Sequence, residues 1–165
     1  MTNPPLQAQC RIDTPLGPLT LAATARGLAA ALFDAQSHHP GELALPVDPA
    51  QEHLAQAARE FGEYFAGTRR VFTVPLDAQG TPFRQRVWRA LLDIPAGALS
   101  SYGAIARQLG QPTACRAVGA AVGRNPVSII VPCHRVIGQD GSLTGYAGGL
   151  HRKQALLRLE GALPA

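Results

Sequence analysis

No apolar run in this chain approaches the roughly 18–20 residues needed to cross a bilayer, so a helical membrane span is not expected. The opening MTNPPLQAQC has no basic stretch leading into an apolar one, so a secretory signal is not expected either. Cysteine is scarce. Cys10, Cys115 and Cys133 form an odd set without a CxxC pair, which argues against a disulfide framework and a Cys-rich zinc site and suits a reducing cytoplasm. Charge is modest at 16% and hydrophobic residues reach 46%, too apolar for a disordered chain. The mean hydropathy of +0.02 fits a soluble globular protein. The length of 165 residues suits one ordinary domain or two small ones packed together.

Lysine is nearly missing: Lys153 stands against fourteen arginines. The overall +4 hides a division. Residues 1–78 hold five arginines and eight acids, net −3, whereas residues 79–165 hold nine arginines, the lysine and three acids, net +7. The second half is a candidate polyanion binder. Solubility with arginine-biased codon usage explains the same charge without a partner.

Three short apolar runs at 10–14, 19–23 and 28–33, separated by Pro/Gly turns, predict an antiparallel meander. A polar, Pro-rich loop follows at 34–49. The spacing of Leu54, Ala58, Phe61 and Phe65 predicts a helix over 49–66, stopped by Gly67. Residues 71–76 read as a further strand, and a domain boundary falls at 78/79. Beyond it, Thr81-Pro82 starts a helix with Phe83, Val87, Ala90, Leu91 and Ile94 on one face. A short helix capped at Ser100 or Ser101 runs to Leu109, Gly110 ends it, and a second helix spans 113–123. This pair reads as a helix-turn-helix. Its second helix is made of small residues around one long side chain, Arg116. Tight packing on a neighbouring helix accounts for that surface; so does close approach to a DNA groove.

Residues 127–131 (VSIIV) read as a buried strand from their β-branched content. They lead into Pro132-Cys133-His134-Arg135-Val136-Ile137. A cysteine beside a histidine and an arginine sits where positive charge favours the thiolate, although free cysteines are also common core residues. Side chains of adjacent extended residues point to opposite faces, so His134 reaches Cys133 only if the backbone turns or a water bridges them. Glu160 falls in the last turn of the closing helix, where the helix dipole disfavours an acid.

The ordered run Ala117-Val118-Gly119-Ala120, Asn125-Pro126, Pro132-Cys133-His134-Arg135-Val136-Ile137, Gly145-Tyr146-Ala147-Gly148-Gly149, Lys153 and Leu159-Glu160-Gly161 resembles the O6-alkylguanine-DNA alkyltransferases. The resemblance is strong over about residues 82–161 and holds only in outline before that. It implies an RNase H-like α/β N-terminal domain (1–78) with antiparallel strands plus a helix. A mainly α, winged-helix-like helix-turn-helix C-terminal domain (79–165) follows.

The resemblance also implies roles. Cys133 accepts the alkyl group; His134 and Glu160, with a water, relay its proton. Asn125 braces the turn, and Tyr102 binds the guanine and helps protonate it. Arg116 fills the space left by the flipped nucleotide, with Ser101, Thr113, Ala114, Ala117, Arg124 and Arg135 beside it on the DNA-binding face. Tyr146, Ala147, Gly148, Val136 and Lys153 line the substrate pocket. Ala147 stands where several relatives have serine, so a hydroxyl contact to O6 is missing. Some relatives hold zinc in the first domain through two cysteines and two histidines. Here Cys10, His38, His39 and His53 lack that pattern, so no metal and no cofactor are expected, and these histidines read as surface residues. The expected partner is double-stranded DNA containing O6-alkylated guanine, or O4-alkylated thymine, bound by a cytoplasmic monomer without membrane contact. Two other functions fit parts of the chain: a cysteine hydrolase using Cys133 and His134, and a module that binds alkylated DNA without repairing it.

Overall fold

The computed structural model describes residues 3–165. Strands β1 (Ala8–Ile12), β2 (Leu19–Ala23) and β3 (Leu28–Phe33) form the antiparallel meander in the order β1-β2-β3. Cys10 pairs with Leu21, and Leu21 with Ala31. At the first turn Thr14 Oγ1 accepts from Leu16 N–H and donates to Gly17 O, with Gly17 at φ +109°. Gly27, before β3, lies against residue 75, where a Cβ would stand 2.6 Å from Pro75 O. β2 and β3 are buried along nearly their whole length. Helix α1 (Glu52–Phe65) covers the sheet with Leu54, Ala57 and Phe61. The C-terminal half meets the β3 edge, where Ala31 N–H donates to Pro126 O and Ala31 O accepts from Ser128 N–H. One apolar core therefore runs through both halves.

Several expectations in this half need correction. The buried stripe of α1 is turned from the predicted one: Ala57, Glu60 and Tyr64 point inward, while Ala58 and Phe65 are only half-buried. The helix starts at Glu52, capped by the Gln51 side chain, which accepts from His53 and Leu54 N–H. Residues 71–76 are not a strand. The buried Glu60 carboxylate takes the N–H groups of Thr73 (2.8 Å) and Val74 (3.1 Å), so these groups are not left for a ladder. Only an isolated bridge, Leu28 to Leu76, joins this segment to the sheet. His53 is buried rather than on the surface, its Nε2 3.2 Å from Ala25 O; His38 is exposed and His39 half-buried.

In the second half α2 (Pro82–Leu92) begins where Thr81 Oγ1 accepts from Arg84 N–H. Trp88 Nε1 donates to Ala121 O at 2.9 Å and fastens α2 to α4 (Cys115–Gly123). α3 (Tyr102–Gln108) is capped by Ser101 Oγ, and with α4 it forms the helix-turn-helix. α4 starts two residues later than its sequence suggests, at Cys115, and its N-cap Ala114 offers no side-chain hydrogen bond. β4 (Ser100–Ser101) pairs in parallel with β5 (Val136–Ile137), a contact too short to read in advance. α5 (Leu150–Leu159) closes the chain. Among the described residues no helix is long and apolar enough to cross a membrane.

Residues 127–131 are buried but are not a strand. They fold back on themselves: Ile130 N–H donates to Ser128 O, Val131 N–H to Val127 O and Cys133 N–H to Val131 O. Ile129 sits at φ +74°, a conformation that costs a β-branched residue about 1–3 kcal/mol and persists only where the surroundings impose it.

Candidate active site

Asn125 is the surrounding that imposes this turn. Its Oδ1 accepts from Val127 N–H (2.9 Å), and its Nδ2 donates to Val131 O (2.8 Å) and to Cys133 Sγ (3.1 Å). One buried amide thus ties the entry of the turn to its exit and to the thiol. The backbone then makes a single 3₁₀ turn over Cys133–Arg135. That turn is the departure from extended backbone that lets Cys133 and His134 belong to one site. Cys133 is 6% exposed and His134 fully buried.

Glu160, the C-cap of α5, is the centre of charge. Its Oε1 accepts from Arg135 Nε (2.8 Å). Its Oε2 accepts from Arg135 Nη2 (2.9 Å), His134 Nε2 (2.9 Å) and the Tyr64 hydroxyl (2.7 Å). Burial pushes the Glu160 carboxyl up, but the hydrogen bonds from Arg135, His134 and Tyr64 outweigh it and hold its pKa at about 2. The helix dipole that opposes an acid here is met by a neighbouring guanidinium. Burial lowers the His134 pKa and outweighs the pull of Glu160, so the ring is neutral. Because an ionised carboxylate only accepts, neutral His134 carries its proton on Nε2 and leaves Nδ1 as a bare acceptor. Nδ1 is buried and has no hydrogen-bond partner among the described residues.

The thiol departs from expectation. Burial raises the Cys133 pKa and outweighs the Asn125 hydrogen bond and the Lys153 charge, so the resting group is a thiol, not a thiolate. Next to it in the chain, His134 Nδ1 is an acceptor without a partner among the described residues.

Lys153 is fully buried, and its Nζ donates to Val136 O (2.6 Å), Thr144 O (2.7 Å) and Gly145 O (3.4 Å). It joins the cysteine turn to the loop that carries Tyr146. Burial brings its pKa down to about 8. Ser37, Tyr102, Gly119, Cys133, Tyr146 and Ala147 are among the walls of a cavity of about 280 Å³, near the lower end of small-ligand pockets (about 300–1,000 Å³). Gly148 belongs to the same loop: a Cβ there would lie 2.9 Å from the Tyr146 ring, so the loop packs this tightly only with glycine. The Tyr146 hydroxyl is buried without a hydrogen-bond partner among the described residues.

Arg116, Thr113, Ala117 and Arg124 are exposed, and Ser101 and Ala114 half-buried. Val118, Ala121 and Val122 face the core, so α4 packs with one side and presents Arg116, Ala117 and Ala120 on the other. Arg135 does not belong on that outer face. It is 7% exposed, spent on Glu160 and on Ile94 O (2.6 Å). Sequence reasoning missed Tyr64 and Ser37, both from the first half. Nothing in the sequence links Tyr64 to a carboxylate 96 positions away.

Fold and site define a protein that keeps a buried, protonated thiol at the wall of a cavity beside a helix-turn-helix, with a neutral histidine next to it in the chain. The 6-O-methylguanine DNA methyltransferase DNA binding domain matches residues 82–162, and the ribonuclease-like domain of the same methyltransferases matches residues 11–78. The chain belongs to the 6-O-methylguanine DNA methyltransferase family. The methylated-DNA–protein-cysteine methyltransferase of Mycobacterium tuberculosis is 52% identical over 149 residues, 90% of this chain and 89% of the relative. That of Mycobacterium leprae is 50% identical over 153 residues, covering 92% and 91%. Mycobacterium tuberculosis OGT in complex with DNA superposes with a TM-score of 0.86 at 49% identity, over 94% of this chain and 93% of that one.

Proposed function

We propose that this chain draws an O6-alkylated guanine out of duplex DNA into the cavity and takes the alkyl group irreversibly onto Cys133. The activity is that of a methylated-DNA–protein-cysteine S-methyltransferase, a DNA repair reaction. Residues 79–165 carry the chemistry and the DNA contacts, residues 1–78 form the ribonuclease-like domain, and the protein works in the cytoplasm as a monomer without a cofactor. One observation carries the site assignment: the Cys133 thiol borders the cavity, and the adjacent neutral His134 has a bare, buried Nδ1.

The steps balance without a further reactant. A water passes the thiol proton to His134 Nδ1, and Glu160 holds the resulting imidazolium. Sγ attacks the alkyl carbon, the carbon–O6 bond breaks, and its electron pair returns to the guanine. Tyr102 supplies a proton to the leaving base, and the proton held by His134 passes back through water to restore the Tyr102 hydroxyl. Extrusion comes first because a stacked base hides the carbon from in-line attack. The product is a thioether, with no carbonyl for water to attack.

Excess O6-methylguanine duplex should therefore transfer one alkyl group per protein molecule and then stop, with the added mass retained on the protein. Turnover beyond one equivalent would reject irreversible transfer and favour a cysteine hydrolase.

Arg116 projects from an exposed surface of small residues and suits insertion into the base stack. Arg116→Ala should slow repair of duplex by about one to two orders of magnitude, the equivalent of a flipping cost of a few kcal/mol. Reaction with free O6-benzylguanine, which needs no extrusion, should be nearly unchanged. Equal losses on both substrates would remove the assignment.

A further inference from the structure

The N-terminal half places one donor within the reaction machinery, and packing does not account for it. Tyr64 is 2% exposed on α1, with its ring 5.2 Å from Phe65 and 5.5 Å from Phe72. A phenylalanine would make the same ring contacts. The hydroxyl adds only the 2.7 Å hydrogen bond to Glu160 Oε2. Glu160 does not need it to be satisfied, because Arg135 binds both of its oxygens and His134 one. A second hold comes from the same half, where Arg70 Nη1 donates to the Glu160 backbone O at 3.3 Å.

Resting on the site reading above, we propose that Tyr64 is a positioning residue of alkyl transfer: its hydroxyl shares Glu160 Oε2 with His134 and so limits how firmly His134 holds the thiol proton. Three donors converge on Oε2 and one on Oε1. A carboxylate oxygen already occupied by a neutral donor gives less charge to the next. When the proton reaches His134, the imidazolium depends on that oxygen. Too strong a pull would leave His134 protonated at rest and useless as a base; no pull would leave it too weak. Tyr64 is a neutral donor that moderates the pull, and burial beside Glu160 raises its own pKa, so it keeps its proton.

The groups facing the pair are few. Cys133 and Arg135 flank His134 on the 3₁₀ turn, and Lys153 lies on α5 with Glu160 adjoining its end. The Tyr146 ring is 6.5 Å from the His134 ring, and Arg70 meets the Glu160 backbone. None of them changes in Tyr64→Phe. Lys153, with its pKa near 8, acts on the basic side of the profile and leaves the acid limb to His134.

The test is the rate of Cys133 alkylation by free O6-benzylguanine against pH, in wild type, Tyr64→Phe and His134→Gln. The ring-proton resonances of His134 are followed in unreacted wild type and Tyr64→Phe. Tyr64→Phe should move the acid limb and the His134 titration upward by about 0.5–1 pH unit. Reaction below the limb would then be about three- to tenfold slower, with the rates converging above it. A uniform loss at every pH, an unmoved limb or a downward shift would overturn the proposal. If His134→Gln abolishes the limb or the reaction while Tyr64→Phe leaves both unmoved, only the role of Tyr64 falls. If His134→Gln keeps the wild-type limb, the base assignment falls and takes this inference with it.

Discussion

Replacing Cys133 by alanine ends alkyl transfer altogether, a loss of at least about a thousandfold, and leaves duplex binding and the fold intact. Among the described residues the thiol is the only sulfur at the cavity wall, and without a nucleophile the remaining groups can bind the base but not receive its alkyl carbon. The fold should tolerate the change. The one hydrogen bond Cys133 loses comes from Asn125 Nδ2, which keeps Val131 O at 2.8 Å. Removing one buried sulfur costs on the order of 1 kcal/mol. The other two thiols cannot substitute. Cys10 is on β1, buried and pushed up in pKa by that burial, and Cys115 is exposed at the start of α4. Peptide mapping after reaction should find the alkyl group on Cys133 alone. Transfer surviving in Cys133→Ala, or an alkyl group on Cys115, would defeat the assignment.

Arg135→Ala should be the most damaging change to stability. It removes the cation from a fully desolvated carboxylate and strands Ile94 O. Breaking a buried ion pair from one side costs about 3–5 kcal/mol, a fall in Tm of roughly 6–20 °C for a chain of this size. The double variant Arg135→Met with Glu160→Gln leaves no unpaired charge and should recover most of that loss, while remaining poor at alkyl transfer. The acid side follows from the same pair. Glu160 has a pKa of about 2 in the fold against an ordinary 4.5, so between these values the unfolded chain binds the extra proton. Its stabilisation is complete above about pH 4.5 and drains away as the pH falls towards 2. Denaturant midpoints measured across that window should slope less steeply in Arg135→Ala than in wild type. An Arg135→Ala protein as stable as wild type would mean that the guanidinium does not compensate Glu160.

Local chemistry was readable in the sequence wherever a residue acts on its near neighbours. Thr81-Pro82 and Ser101 start α2 and α3 as their capping chemistry dictates, and the Pro/Gly turns of the meander fall between the strands as expected. The Pro132-Cys133-His134-Arg135 segment announced itself by residue type. Long-range capture of polar groups was not readable. Residues 71–76 have strand-like composition, yet Glu60 takes two of their N–H groups. Residues 127–131 are mostly β-branched, yet Asn125 folds them into a turn and Ile129 takes a left-handed conformation. Arg135 looked like one more cation of a +7 half, and its burial is set by Glu160, 25 positions on. Tyr64 was hidden for the same reason, at a greater distance. Apolar periodicity along α1 pointed to Phe65, and the small rotation that exposes it partly is the one that turns Glu60 and Tyr64 inward.

A protein that can act only once must not be spent on the wrong electrophile. Thiolates at a surface are consumed by peroxide and by soft alkylating agents. Cys133 meets neither risk openly, because it is shielded and burial favours its protonated form, while the exposed Cys115 stands where such reagents arrive first. On the proposed function, the burial that makes the thiol a poor nucleophile at rest also gives it a shelf life, because its reactivity is kept for the base that enters the cavity.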